Sequence, residues 1–169
     1  MSDPLSTVST PSERLAELGL TLPKVTAPLA AYVPAVAYGG LAWSSGQLPM
    51  VDGHLVRTGP VGADVDPADA AELARICALN ALAALASVAG PKGIDGISRI
   101  VKVVGFVASS AGFTGQPGVV DGASKLLADV FGAAGRSARS AVGVAALPLG
   151  APVEVEVIAA LGSFGDESV

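Results

Sequence analysis

Histidine and cysteine are nearly missing from this chain of 169 residues, which holds one of each, His54 and Cys77. A lone cysteine cannot close an internal disulfide. One histidine leaves neither a His-based metal site nor a paired-histidine acid–base couple to assemble, and no His, Cys, Asp or Glu cluster has zinc spacing. Charge is scarce too, at 15% of residues, with a formal balance of −5. Aromatic residues make up 4%, and no basic stripe runs between them. Nucleic-acid binders carry clustered Lys and Arg interleaved with aromatics, so that role is not expected here. No apolar run reaches membrane-spanning length without Gly, Pro or charge. No charged segment followed by an apolar core opens the chain. The expectation is a cytoplasmic protein with no membrane contact.

What the chain does have is apolar mass. Hydrophobic residues make up 51%, enough for a sizeable core in one domain. So few charges for one domain's surface point to cover by other subunits. Thr10-Pro11-Ser12-Glu13 reads as a helix start, and Thr21–Pro28 as a linker. Tyr32–Tyr38 and Leu41–Gly46 form a hairpin about Gly39-Gly40. Val51–Val56 is a turn followed by a short strand, with His54 a solvated loop residue. Asp66-Pro67 opens a helix expected to run to Gly90-Pro91, about 36 Å at ~1.5 Å per residue. Cys77 lies on its apolar stripe and reads as a small core residue. The β-branched run Ile97–Val107 suits a central strand covered on both faces. After the loop Ser109–Gly118, a second amphipathic helix ends at Gly135.

The last two strands carry charge inside regular structure. Alternation puts Arg139 on one face with the small residues Ala141, Gly143 and Ala145, and turns Ser140, Val142 and Val144 toward the helices. Glu154 and Glu156 share a face in the final strand, and Val153, Val155 and Val157 fill the other. A guanidinium among small side chains suits a carboxylate held by two parallel hydrogen bonds. A nearby carboxylate can move a proton or orient a water. The same pattern also describes an ordinary half-solvated strand with Arg139 paired to a glutamate, and both readings stay open. The element order predicts an α+β domain: a single mixed sheet with two helices on one face. The opposite face is left for a partner, so an oligomer is expected.

The ordered features Ala27-Pro28 with Tyr32, Ser45-Gly46-Gln47-Leu48-Pro49, Asn80-Ala81-Leu82, Ala138-Arg139-Ser140, Leu147-Pro148 and Val153–Ala159 resemble the RidA/YjgF family of enamine/imine deaminases, formerly labelled endoribonuclease L-PSP. The resemblance implies a chorismate mutase-like homotrimer with pockets between subunits and no metal or organic cofactor. It implies that Arg139 binds a substrate carboxylate and that Glu154 handles water or a proton as 2-imino or 2-enamino acids become 2-keto acids and ammonia. Tyr32 and Ser45 match pocket-lining positions, and Asp121 stands where the family often has asparagine. Ala31 replaces a family proline, and Ala141 replaces a cysteine frequent in the deaminase branch. These departures, the long loop Ser109–Gly118 and the extra N-terminal helix resemble the longer, poorly characterised branch. Residues 1–26 form an extension, 27–162 the RidA-like domain and 163–169 a flexible tail. The partners implied are a small carboxylate-bearing metabolite and the chain itself. Alternatives are a non-catalytic carboxylate-binding or sensing trimer, and an endoribonuclease, which the acidic balance disfavours.

Overall fold

The computed structural model describes residues 9–25 and 31–162. The expectations placed on residues 1–8, on Ala27-Pro28 and on the tail 163–169 lie outside the described residues. Helix α1 spans Pro11–Glu17 behind a capping box: the Glu13 amide donates to the Thr10 hydroxyl, and the Thr10 amide donates to the Glu13 carboxylate. Its Leu15 is buried in the core, and Ser12 donates from both its amide and its hydroxyl to Asp95. Strands β1 (Ala35–Tyr38) and β2 (Leu41–Ser44) form the expected hairpin. Gly39 and Gly40 both hold positive φ, the conformation a two-residue turn matching strand twist requires. A separate ribbon, β3 (Met50–Val51) and β4 (His54–Leu55), turns at Asp52-Gly53 and leaves His54 exposed.

Helix α2 spans Pro67–Ala86, with the Asp66 side chain accepting from the Ala68 amide. It stops short of the expected Gly90. The Val88 and Ala89 amides bond to the Leu85 and Ala86 carbonyls, a tighter turn that ends the α-helix. Strand β5 (Ile97–Ala108), helix α3 (Gln116–Phe131), strand β6 (Ala138–Val144) and strand β7 (Val153–Leu161) follow. The main sheet has five strands in the order β1-β2-β7-β5-β6. Only β5 and β6 pair in parallel, so the sheet is mixed, and the architecture is the α+β one expected.

β6 and β7 flank a turn in sequence but do not pair; β5 lies between them. The α3 crossover lays β6 parallel on one edge of β5. The connection 145–152 then passes the end of β5, where the Ala108 amide donates to the Pro152 carbonyl, and β7 runs back along the other edge.

Helices α2 and α3 cover one face of the sheet. Leu82, Leu85, Leu126 and Leu127 pack there on Val103, Val107, Val155 and Val157, all fully buried. The helices come close because the contacts are small. A Cβ at Gly105 of β5 would overlap Val120 of α3, and one at Gly122 of α3 would overlap the Ala71 carbonyl of α2. Among the described residues nothing covers the other face. It presents Tyr38 at 83% exposure, Val36 at 50% and Val142 at 44%, with Trp43, Ile158 and Phe106 half-buried among them. Among the described residues β5, an interior strand next to the β6 edge, is therefore covered on one face and not on both. No helix of the described residues is long and apolar enough to cross a membrane.

Because the overlap at Gly122 is with backbone, Gly122→Ala is expected to destabilise the fold by about 2 kcal/mol, read as a lower urea midpoint. Gly118, in the first turn of the same helix, has open space around it. Gly118→Ala is expected to stabilise the fold by up to about 1 kcal/mol, through helix propensity alone, read as a higher urea midpoint.

Candidate functional site

Arg139 is in the second position of β6 and pairs in register with the buried Val103. That register puts Arg139, Ala141 and Gly143 on the helix face. Ala141 packs against the core, and a Cβ at Gly143 would meet Gln116 and Ser109. The expectation that Ser140, Val142 and Val144 turn toward the helices is thus reversed: Val142 is exposed, and Ser140 accepts a hydrogen bond from Lys102 at 2.9 Å. The small side chains beside Arg139 seat α3 rather than hollowing out a pocket.

The guanidinium meets α3 directly. Its Nη1 donates to Asp121 Oδ1 at 2.6 Å and to Ser124 Oγ at 3.1 Å. The Arg139 side chain is 26% exposed and Asp121 49%. Half in water, such a pair adds about 1 kcal/mol at most, so its main effect is orientation. Nε and Nη2 have no hydrogen-bond partner among the described residues. The reading that paired Arg139 with a glutamate of the last strand does not hold: the acid on α3 takes it. Next to the guanidinium, between α3 and the start of β6, a cleft of about 320 Å³ opens, lined also by Ser124, Lys125, Arg136 and Ser137.

Glu154 is elsewhere. Val153, Val155 and Val157 of β7 are fully buried under the helices, so Glu154 and Glu156 face the open side as expected. Glu154 lies against Gly46, where an added Cβ would overlap its carboxylate. The Ser45-Gly46-Gln47 loop is held there by two backbone hydrogen bonds exchanged between Gln47 and Val155. Asn80 of α2 anchors the next stretch, donating to the Leu48 and Met50 carbonyls. Ser45 gives its hydroxyl to the Val33 carbonyl at 2.6 Å, which brings the exposed Tyr32 to the same corner. Burial first, and the charge of Glu156 second, push the Glu154 carboxyl above its ordinary value. Burial first, and then the charge of Glu154, raise the Cys77 thiol, whose sulfur donates weakly to the Val153 carbonyl. Cys77 is a core residue, as its place in α2 predicts.

The predicted residues therefore form two groups. Asp121 and Arg139 meet at the β6 edge on the helix face; Tyr32, Ser45 and Glu154 gather at the other. With β5 between β7 and β6, and Glu154 in register with Phe106 and Val142, the two groups are offset by about 10 Å across the strands and about 10 Å along them. They also point away from each other through the sheet. One protomer cannot bring Arg139 and Glu154 to one ligand. Sequence reasoning missed Ser124, Lys125 and Arg136 in the cleft. Ser124 was findable, one helical turn after Asp121.

The family model described as "YjgF/chorismate mutase-like, putative endoribonuclease" matches residues 12–161, a span that takes in α1. Protein TCP17 of Trypanosoma cruzi is 42% identical over 150 residues, covering 88% of this chain and 92% of that protein. Among solved structures, Atu1372 of Agrobacterium tumefaciens, a protein of unknown function, is 47% identical with a TM-score of 0.81, covering 88% of this chain and 91% of that one. A "putative endoribonuclease" of Shewanella oneidensis is 33% identical with a TM-score of 0.85, covering 90% and 100%.

A carboxyl whose native pKa is raised binds its proton more tightly folded than unfolded. Its contribution to stability is complete below the unfolded value and is lost as pH rises through the folded one. Glu154→Gln mimics the protonated form. It is expected to raise the melting temperature near pH 8 and to leave it unchanged near pH 4, measured by thermal denaturation across that range.

Proposed function

This chain belongs to the YjgF/chorismate mutase-like family, and from that premise we propose that it hydrolyses reactive 2-imino and 2-enamino acids to 2-keto acids and ammonia, in pockets between the subunits of a homotrimer. One observation carries the reading. Arg139 is a half-buried guanidinium, held among the described residues through Nη1 alone, beside an open cleft. Held that way, its Nε–Nη2 edge is free to take a carboxylate by two parallel hydrogen bonds. Asp121 and Ser124 fix its orientation in advance, which lowers the ordering cost of binding.

Glu154 supplies the proton chemistry. An enamino acid first takes a proton from solvent at C3 and becomes the iminium, the same species an imino acid reaches when its nitrogen is protonated. Water then adds to C2, and its proton passes to the Glu154 carboxylate. The resulting carbinolamine collapses as Glu154 returns that proton to nitrogen: the C–N bond breaks, ammonia leaves, and the carbinol O–H proton passes to the vacated Glu154 carboxylate, and from it to solvent, as the 2-keto C=O forms. A carboxyl shifted upward by burial is better matched to both halves of this cycle near neutrality. Since Glu154 is on the open face, the pocket draws it from a neighbouring copy packed against that face. The exposed apolar side chains Val36, Tyr38 and Val142 supply the surface for such packing.

A second reading has its own observation. Asp121 already occupies one arm of Arg139, which suits a carboxylate-binding trimer without turnover. Endoribonuclease activity has less support, given the balance of −5.

With 2-iminopropionate generated by an amino-acid oxidase, the protein is expected to accelerate ammonia release. Arg139→Ala should lower the effect by about 100-fold or more. Ligand binding in calorimetry without acceleration would select the second reading. Light scattering is expected to give three times the 16.5 kDa protomer mass; a protomer mass would sink the shared pocket.

A further inference from the structure

The cleft beside Arg139 carries more positive charge than one carboxylate needs. Lys125, Arg136 and Arg139 line it against the single acid Asp121, a formal excess of two positive charges in a chain whose overall balance is −5. Asp121 is already paired with Arg139. Neither Lys125 nor Arg136 forms an ion pair among the described residues. Asp129, one helical turn after Lys125 and the natural partner for it, is directed to Arg75 on α2 instead. Ser124 and Ser137 add hydroxyls to the same walls.

We propose that the ligand of this cleft is a small dianion: a 2-oxo or 2-imino acid whose first carboxylate takes Arg139 and whose far end carries a second anionic group, carboxylate or phosphate, bound by Lys125 and Arg136. This rests on the proposed carboxylate site at Arg139 and adds the substrate class to it. Two cations with no ion pair among the described residues, converging on one concave cleft, attract a second negative group more strongly than either would alone. A monocarboxylate with an apolar tail leaves both cations unanswered and gains nothing from them. Lys125 and Arg136 are exposed, so replacing them does not disturb the core.

The test is calorimetry on the full chain with three probes of matched length: 2-oxoglutarate, 2-oxovalerate and 2-oxo-4-phosphonobutanoate. At low salt, 2-oxoglutarate or the phosphonate is expected to bind at least about tenfold tighter than 2-oxovalerate. Whichever of the two binds tighter identifies the second group. Lys125→Gln combined with Arg136→Gln should bring the dianions to within about twofold of 2-oxovalerate, with most of the lost affinity falling on the dianions. Equal binding of all three probes overturns the proposal, as does a preference that survives the double variant or no binding by any probe. Arg139→Ala separates the two claims. If it abolishes 2-oxovalerate binding but the dianion preference of the parent chain is absent, the carboxylate site stands and the dianion proposal fails. If 2-oxovalerate binding survives Arg139→Ala, the carboxylate site itself is wrong.

Discussion

Everything at the cleft depends on how closely α3 lies to the sheet. Gly105 lets Val120 sit directly over β5, Ala141 and Gly143 extend the same seat along β6, and Gly122 brings α3 against the backbone of α2. A close-packed interior transmits such contacts as fixed positions rather than averages. With α3 seated this way, Asp121 and Ser124 reach the Arg139 guanidinium. The small residues that first read as room for a ligand are the reason the helix can hold the arginine at all.

The second constraint is the period of the strand. Neighbouring side chains go to opposite faces, and the five-strand order places β5 between the two strands that carry charge. Arg139 goes under the helices and Glu154 goes to the open face. A pocket that uses both must be assembled from two copies, and the same face that presents Glu154 also presents the apolar side chains a second copy would cover. In the proposed trimer, assembly and chemistry are tied to one surface.

Electrostatics distinguish the two ends. On the open face, two glutamates on one strand and partial burial raise the proton affinity of Glu154. At the β6 edge, an acidic chain concentrates cations around a cleft. The first is suited to moving protons and the second to holding an anion.

The residues alone were enough to place nearly every element, because caps, Gly-Gly turns and apolar periods are local: Thr10 with Glu13, Gly39-Gly40, Asp66-Pro67 and the β-branched run of β5 each act within a few residues. They also identified Arg139 and Glu154 as charges inside strands and told which face of β7 is buried, since three valines mark it. What a local pattern cannot carry is which strands become neighbours and which face of β6 the helices take. Ala141, Gly143 and Val142 fit either side, and the choice is made by the register of β6 on β5 and by the approach of α3, contacts between residues far apart in the chain. The pairing of Arg139 with Asp121, the separation of Arg139 from Glu154 and the cationic lining of the cleft are all products of that long-range packing.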